Sequence, residues 1–156
     1  MPTAGATSPP DEGGVFAAKA AIAELITRYA ALIDAGDWDA VAALYTDDGR
    51  MNRPSAPEDF ICGRGAILAA LRSRPQRLAR HIVANVLVTL ESGTRARATS
   101  QILLFGATAA EGGGLPVLWA GPPLVGSYSD SLVRTAHGWR FAERRGSMDF
   151  RAPLPG

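Results

Sequence analysis

A histidine, an aspartate and a tyrosine are the residues of this chain whose types and placement could run proton-transfer chemistry. His81 opens the alternating run Arg80-His81-Ile-Val-Ala-Asn85-Val-Leu-Val-Thr-Leu90. Asp34 closes a helical stretch that also carries Tyr29. Imidazole is the usual side-chain general base near neutral pH, and a carboxylate or a phenol beside it can take part in the same proton transfer. Such a set needs neither metal nor organic cofactor. It does need a helix and a strand, distant in sequence, to converge.

The helix is legible from its period. Ile22, Leu25, Ile26, Tyr29, Leu32 and Ile33 recur at three- and four-residue spacing and form one apolar stripe. The spacing predicts a helix from Val15 to Gly36, where glycine suits a left-handed end. Asp37 can cap a second short helix from Trp38 to about Tyr45, and Asp47-Asp48-Gly49 reads as a turn. Residues 50–62, with Pro54 and Pro57, read as irregular, and a third helix fits Gly65–Leu71 before Pro75 stops it. From Ala79 the period becomes two, giving strands at Arg80–Leu90, Thr94–Phe105, Leu115–Ala120, Leu124–Thr135 and Trp139–Asp149. Ala109–Gly114 reads as a flexible loop. Helices followed by consecutive strands predict an α+β domain over residues 15–149, with residues 1–14 a mobile tail and 150–156 a C-terminal tail.

The bulk numbers narrow the class. A chain of 156 residues, 47% apolar and 20% charged, supports one domain with a real core. Its net charge is +1 and its basic residues are scattered, so nucleic acid is not an expected partner. Cys62 is the single cysteine, which fits a reducing cytoplasm and excludes an internal disulfide. No apolar run is long enough to span a membrane, and residues 1–14 lack the pattern of a secretory leader. His81 and His137 are too few for a metal centre, and no Gly-x-Gly-x-x-Gly or nucleophile motif occurs. No cofactor or metal is expected.

Several segments, in order, match a known pattern. They are Arg28-Tyr29-Ala with Ile33-Asp34-x-Gly36-Asp37-Trp38, Leu44-Tyr45-Thr-Asp-Asp48-Gly49, and Arg80-His81-x-x-x-Asn85-Val86. Gly126-x-Tyr128-x-Asp130-x-Leu132-Val133-Arg134 and Gly138-Trp139-Arg140-Phe141-Ala-Glu143-Arg144 complete it. The chain resembles the SnoaL-like branch of the nuclear transport factor 2-like superfamily. The resemblance implies a cone-shaped barrel of strongly bent antiparallel sheet, with the N-terminal helices packed on its concave face and a pocket enclosed. Within that superfamily the helix and histidine pattern is similar to scytalone dehydratase and bile-acid 7α-dehydratase. This implies His81 as general base, Asp34 as its orienting carboxylate and Tyr29 as a group that polarises a carbonyl or assists a leaving hydroxyl. The chain departs from those enzymes in having no carboxylate along Thr99–Phe105 and in placing His137 in a hairpin turn.

Each residue also has a plainer role. Asp34 could face solvent at a helix end, since five residues turn about 140° from Tyr29, although a carboxylate there opposes the helix dipole. His81 could be structural or lie at a subunit interface, and Tyr29 could be plain core. On a regular strand His81 shares a face with Val83, Asn85, Leu87 and Thr89. Asn85, Tyr45, Trp38, Tyr128 and Arg144 are candidate substrate contacts. Arg144 and Arg145 point to opposite faces, so one of them can enter the site.

Two functions follow. One is a cofactor-independent lyase or isomerase, of dehydratase or cyclase type, using His–Asp acid–base chemistry on a hydrophobic polycyclic or aromatic carbonyl compound. The other is a non-catalytic small-molecule binder, or an accessory subunit resembling the small subunits of ring-hydroxylating dioxygenases. A homodimer or homotrimer is expected in either case.

Overall fold

The first helix, α1 (Glu12–Ala35), carries its buried stripe of Ile22, Leu25, Ile26 and Tyr29 along one side. The computed structural model describes residues 11–75, 78–107 and 114–150; the expected N-terminal tail, Gly-rich loop and C-terminal tail therefore lie wholly or mostly outside the described residues. Gly36 ends α1 at φ 71°, where its N–H closes on the Ile33 carbonyl. Asp37 then caps α2 (Trp38–Ala43) by accepting from the Ala40 N–H at 3.1 Å.

The next segment differs from the sequence expectation. Tyr45 leaves the helix and begins β1 (Tyr45–Arg53), which turns into β2 (Ala56–Cys62). Asp47, Asp48 and Gly49 thus lie in a strand, not in a turn. Burial decides this: Tyr45, Gly49 and Met51 face inward while Asp47, Asp48 and Arg50 face out. Pro54 sits in the turn between the two strands, and Pro57 lies in β2, the sheet's edge strand, where a missing N–H costs least. The third helix, α3 (Arg64–Arg72), follows.

Four long strands complete the chain: β3 (Leu78–Leu90), β4 (Arg95–Ala107), β5 (Leu124–Thr135) and β6 (Gly138–Phe150). The segment expected as a strand at Leu115–Ala120 contributes only a bridge between Trp119 and Ala107, with the Trp119 ring against Phe105. The sheet is β2-β1-β6-β5-β4-β3, curled but open. It is mixed, since β1 runs parallel to β6 and every other pair is antiparallel. No hairpin joins these two strands, so nothing in the chain order forces them antiparallel.

Two of the sheet's register shifts bear on which residues face inward. Between Ala84 and Leu87, β3 carries one residue more than its partner segment Gln101–Thr99. Asn85 absorbs it at φ 51°, a conformation Asn tolerates better than most residues. A second bulge lies at Ala142, between the Ser131–Glu143 and Leu132–Phe141 pairs. The concave face packs on α1, and Ile22, Ile26, Val41, Tyr45, Leu132 and Phe141 are almost wholly excluded from water.

Candidate active site

Asp34 and His81 meet. Asp34 lies in the last turn of α1, where the helix dipole disfavours a carboxylate. Two hydrogen bonds from one residue offset that cost: the His81 backbone N–H donates to Oδ2 at 2.8 Å, and the His81 ring meets Oδ1 through Nδ1 at 2.6 Å. Both side chains are largely shielded, at 14% and 11% exposure. A carboxylate at Nδ1 calls for a proton there, which leaves the Nε2 lone pair as the basic site. The ring is thus fixed in tautomer and direction by its carboxylate partner.

Tyr29 belongs to a second cluster. Its ring stands edge-on to Tyr45, Tyr128 and Phe141, with centroids 6.2, 6.3 and 5.8 Å away. Enclosed among these rings is the guanidinium of Arg144, 4.2 Å from Tyr29, 4.1 Å from Tyr128 and 4.3 Å from Phe141. Asp130 binds it through two 2.8 Å hydrogen bonds, and the two side chains are 1% and 0% exposed. The placement follows from register: Asp130 and Arg144 are paired across β5 and β6, both on the concave face.

This cluster sets its own electrostatics. Burial works to lower the Arg144 pKa, but the Asp130 charge and hydrogen bonds outweigh it, so the guanidinium is held protonated. Burial pushes the Tyr128 phenol well above its ordinary value, and Arg144 only partly counters this. Burial likewise raises Tyr45, and the Tyr29 charge and hydrogen bond add to it. The neutral phenols are therefore donors for an oxygen, not bases.

The remaining expected contacts divide. Tyr45 is fully buried, and its hydroxyl reaches the Met51 sulfur at 3.7 Å. Trp38 is half-buried and packs on the core from α2. Asn85 faces away from the interior: the bulge moves it to the outer face, exposed and donating to Gln101. Val83 shares the inward face with His81, but beyond the bulge Val86, Val88 and Leu90 take over the positions that an unbroken alternation gives to Asn85, Leu87 and Thr89. Arg144 enters the interior and Arg145 stays outside, paired with Glu143.

Sequence reasoning did not single out Asp130 or Ser100. Asp130 alternates in phase with the buried Tyr128 and Leu132, which is the signal that could have found it. A surface groove of about 480 Å³ runs over the outer face by Leu87, Gln101, Ser129 and Arg145, and a smaller concavity of about 210 Å³ lies by Leu78, Phe105 and Trp119. Neither is lined by His81 or Asp34. Among the described residues no helix is long and apolar enough to cross a membrane.

Comparison with known proteins places the fold. A scytalone-dehydratase-like protein from Novosphingobium aromaticivorans superposes with a TM-score of 0.71 at 22% identity, covering 91% of this chain and 93% of that one. A hexachlorocyclohexane dehydrochlorinase from Novosphingobium barchaimii gives 0.73 at 18% identity, covering 94% and 96%. A protein of unknown function from Mycobacterium tuberculosis gives 0.66 at 28% identity, covering 83% and 74%. The first two likenesses establish a shared fold. No curated protein sequence matches the chain. The family model described as a SnoaL-like domain matches residues 15–145, which takes in the helix and sheet framework except the start of α1 and the end of β6, and the chain belongs to that SnoaL-like family.

Proposed function

We propose that this protein is a cofactor-independent lyase or isomerase in which His81 is the general base. The observation that supports this reading is the Asp34–His81 pair, in which Asp34 holds both the ring and the backbone of His81. Nε2 would remove a proton from carbon next to a carbonyl, and Asp34 would balance the imidazolium that forms. The electron pair would then expel a hydroxyl from the adjacent carbon, giving dehydration, or be reprotonated elsewhere, giving isomerisation. Tyr29, Tyr45 and Tyr128 would face the substrate as neutral donors or as apolar wall. The substrate would be a hydrophobic ring compound bearing a carbonyl group, and the protein would work as a homodimer or homotrimer in the cytoplasm.

The test is exchange of the acidic carbon-bound proton for deuterium, followed by NMR across a panel of cyclic and aromatic ketones. Exchange catalysed by the wild type and reduced by at least about a hundredfold in His81→Gln is the expected outcome. Equal exchange in the two proteins refutes the role of His81.

A second reading, a non-catalytic binder or accessory subunit, draws on two observations. The Arg144 cluster is closed to solvent, and the two surface concavities lie away from the dyad. On this reading no ketone exchanges, and Asp34→Ala alters packing alone.

A further inference from the structure

The outer face of the sheet ends in an apolar concavity of about 210 Å³. It is formed by the first residues of β3, the last of β4 and the segment running from Leu115 to Trp119. Register explains its floor: Leu78 pairs with Ala107 and Arg80 with Phe105, so these four side chains share one face. His81 and Ile102 fall in the opposite phase, on the concave side. The concavity therefore lies behind the dyad, with the sheet between them.

The wall is aromatic. Trp119 is held against β4 by its bridge to Ala107 and by the Ala120 N–H, which donates to the Gly106 carbonyl at 3.0 Å. Its ring meets Phe105 at 5.9 Å between centroids and a tilt of 44°. Val117 beside it is half-buried, yet Leu115 and Trp119 remain 76% and 59% exposed. Apolar surface this open gains stability when a molecule covers it.

Arg80 is the one charged residue among those described on this lining. Its Nη1 donates to the Ala79 carbonyl at 2.9 Å, and among the described residues no carboxylate and no aromatic face holds the guanidinium. A cation with free donors beside an apolar wall suits a molecule with a ring at one end and a carboxylate at the other. Size limits the ring: an apolar cavity of about 150 Å³ admits benzene, so this one takes a single substituted ring rather than a polycycle.

We propose that this concavity is a second small-molecule site, separate from the dyad, for a monocyclic aromatic carboxylate. The ring packs on Phe105, Val117 and Trp119, and Arg80 binds the carboxylate.

The probes are 4-propylbenzoate, uncharged 4-propylbenzamide and acetate, titrated into the full chain by calorimetry and tryptophan fluorescence. Of the three tryptophans, Trp139 is buried and Trp38 half-buried, so Trp119 is the one whose emission shifts to the blue when the concavity fills. Propylbenzoate should bind with a Kd of about 1 mM or better, and acetate should not bind. Arg80→Gln should weaken propylbenzoate about fivefold and leave propylbenzamide within about twofold. Trp119→Phe should keep calorimetric binding and abolish the spectral shift. His81→Gln should change neither, since it lies on the other face. Equal propylbenzoate affinity in Arg80→Gln, a spectral shift that survives Trp119→Phe, or no binding at all overturns the proposal. So does an emission that shifts with protein concentration and ignores the probes, which would assign the face to a second copy of the chain. Ketone exchange by the wild type is unaffected by any of these results, so the base and the outer site fail separately.

Discussion

Replacing Asp130 with alanine strands the Arg144 guanidinium in the interior. The pair has both side chains at or below 1% exposure and two hydrogen bonds of 2.8 Å, so water cannot substitute for the lost carboxylate. Removing one partner of a buried pair costs about 3–5 kcal/mol. The Tyr29, Tyr128 and Phe141 rings, at 4.1–4.3 Å, still hold the cation, which places Asp130→Ala near the lower end of that range. With a urea dependence of about 2 kcal/mol per molar, the unfolding midpoint should fall by about 1.5 M. Adding Arg144→Met removes the stranded charge and should recover most of the loss, giving a coupling energy of about 2 kcal/mol or more. Equilibrium urea unfolding of the two single variants and the double reads this out. A midpoint shift below about 0.3 M in Asp130→Ala, or a double variant no better than the single, refutes the claim of a buried, mutually dependent pair.

Other consequences are as direct. The chain has three tyrosines, all in the Arg144 cluster, so tyrosinate absorbance reports on that cluster alone. Tyr45 and Tyr128 are raised above their ordinary value of 10.0, so the folded state favours the neutral phenols. Their contribution to stability is therefore intact below that pH and is lost as pH rises above it, toward and through the raised folded-state values. Tyrosinate absorbance from Tyr45 and Tyr128 should appear with unfolding rather than as a simple titration near pH 10, and simple titration of these two in the folded chain contradicts their burial. Asn85 at φ 51° makes a third test: Asn85→Val should cost about 1–2 kcal/mol and Asn85→Gly should be close to neutral in urea unfolding. Equal effects of the two would mean that backbone conformation is not what the site demands.

The sequence made the parts with a clear period readable. Leu124–Thr135 matches β5 at both ends, and α1, β3, β4 and β6 differ from expectation by a few residues at their ends. β1 and β2 were hidden because their local chemistry argues for turns. Asp47-Asp48-Gly49 and the two prolines suit a loop, and only pairing with β6 and burial of Tyr45 and Met51 make this segment a sheet edge. Bulges limited the reading of faces. Alternation assigns Asn85 to the His81 side, and one extra residue in β3 reverses it. The separation of Tyr29 from Asp34 was legible in helical geometry: about 140° sends one side chain to the aromatic cluster and the other to His81. Alternation within β5 could have shown Asp130 facing inward, but its pairing with Arg144 was not legible, since neither strand alone gives the register.

The dyad is tested most directly by the tautomer of His81, read from long-range proton–nitrogen NMR correlations of the imidazole at a pH where it is neutral. The 2.6 Å contact with Asp34 predicts the proton on Nδ1 and a bare Nε2, with the Nδ1–H preference lost in Asp34→Ala. A neutral ring carrying its proton on Nε2 in the wild type would leave no base facing the interior and contradict the account.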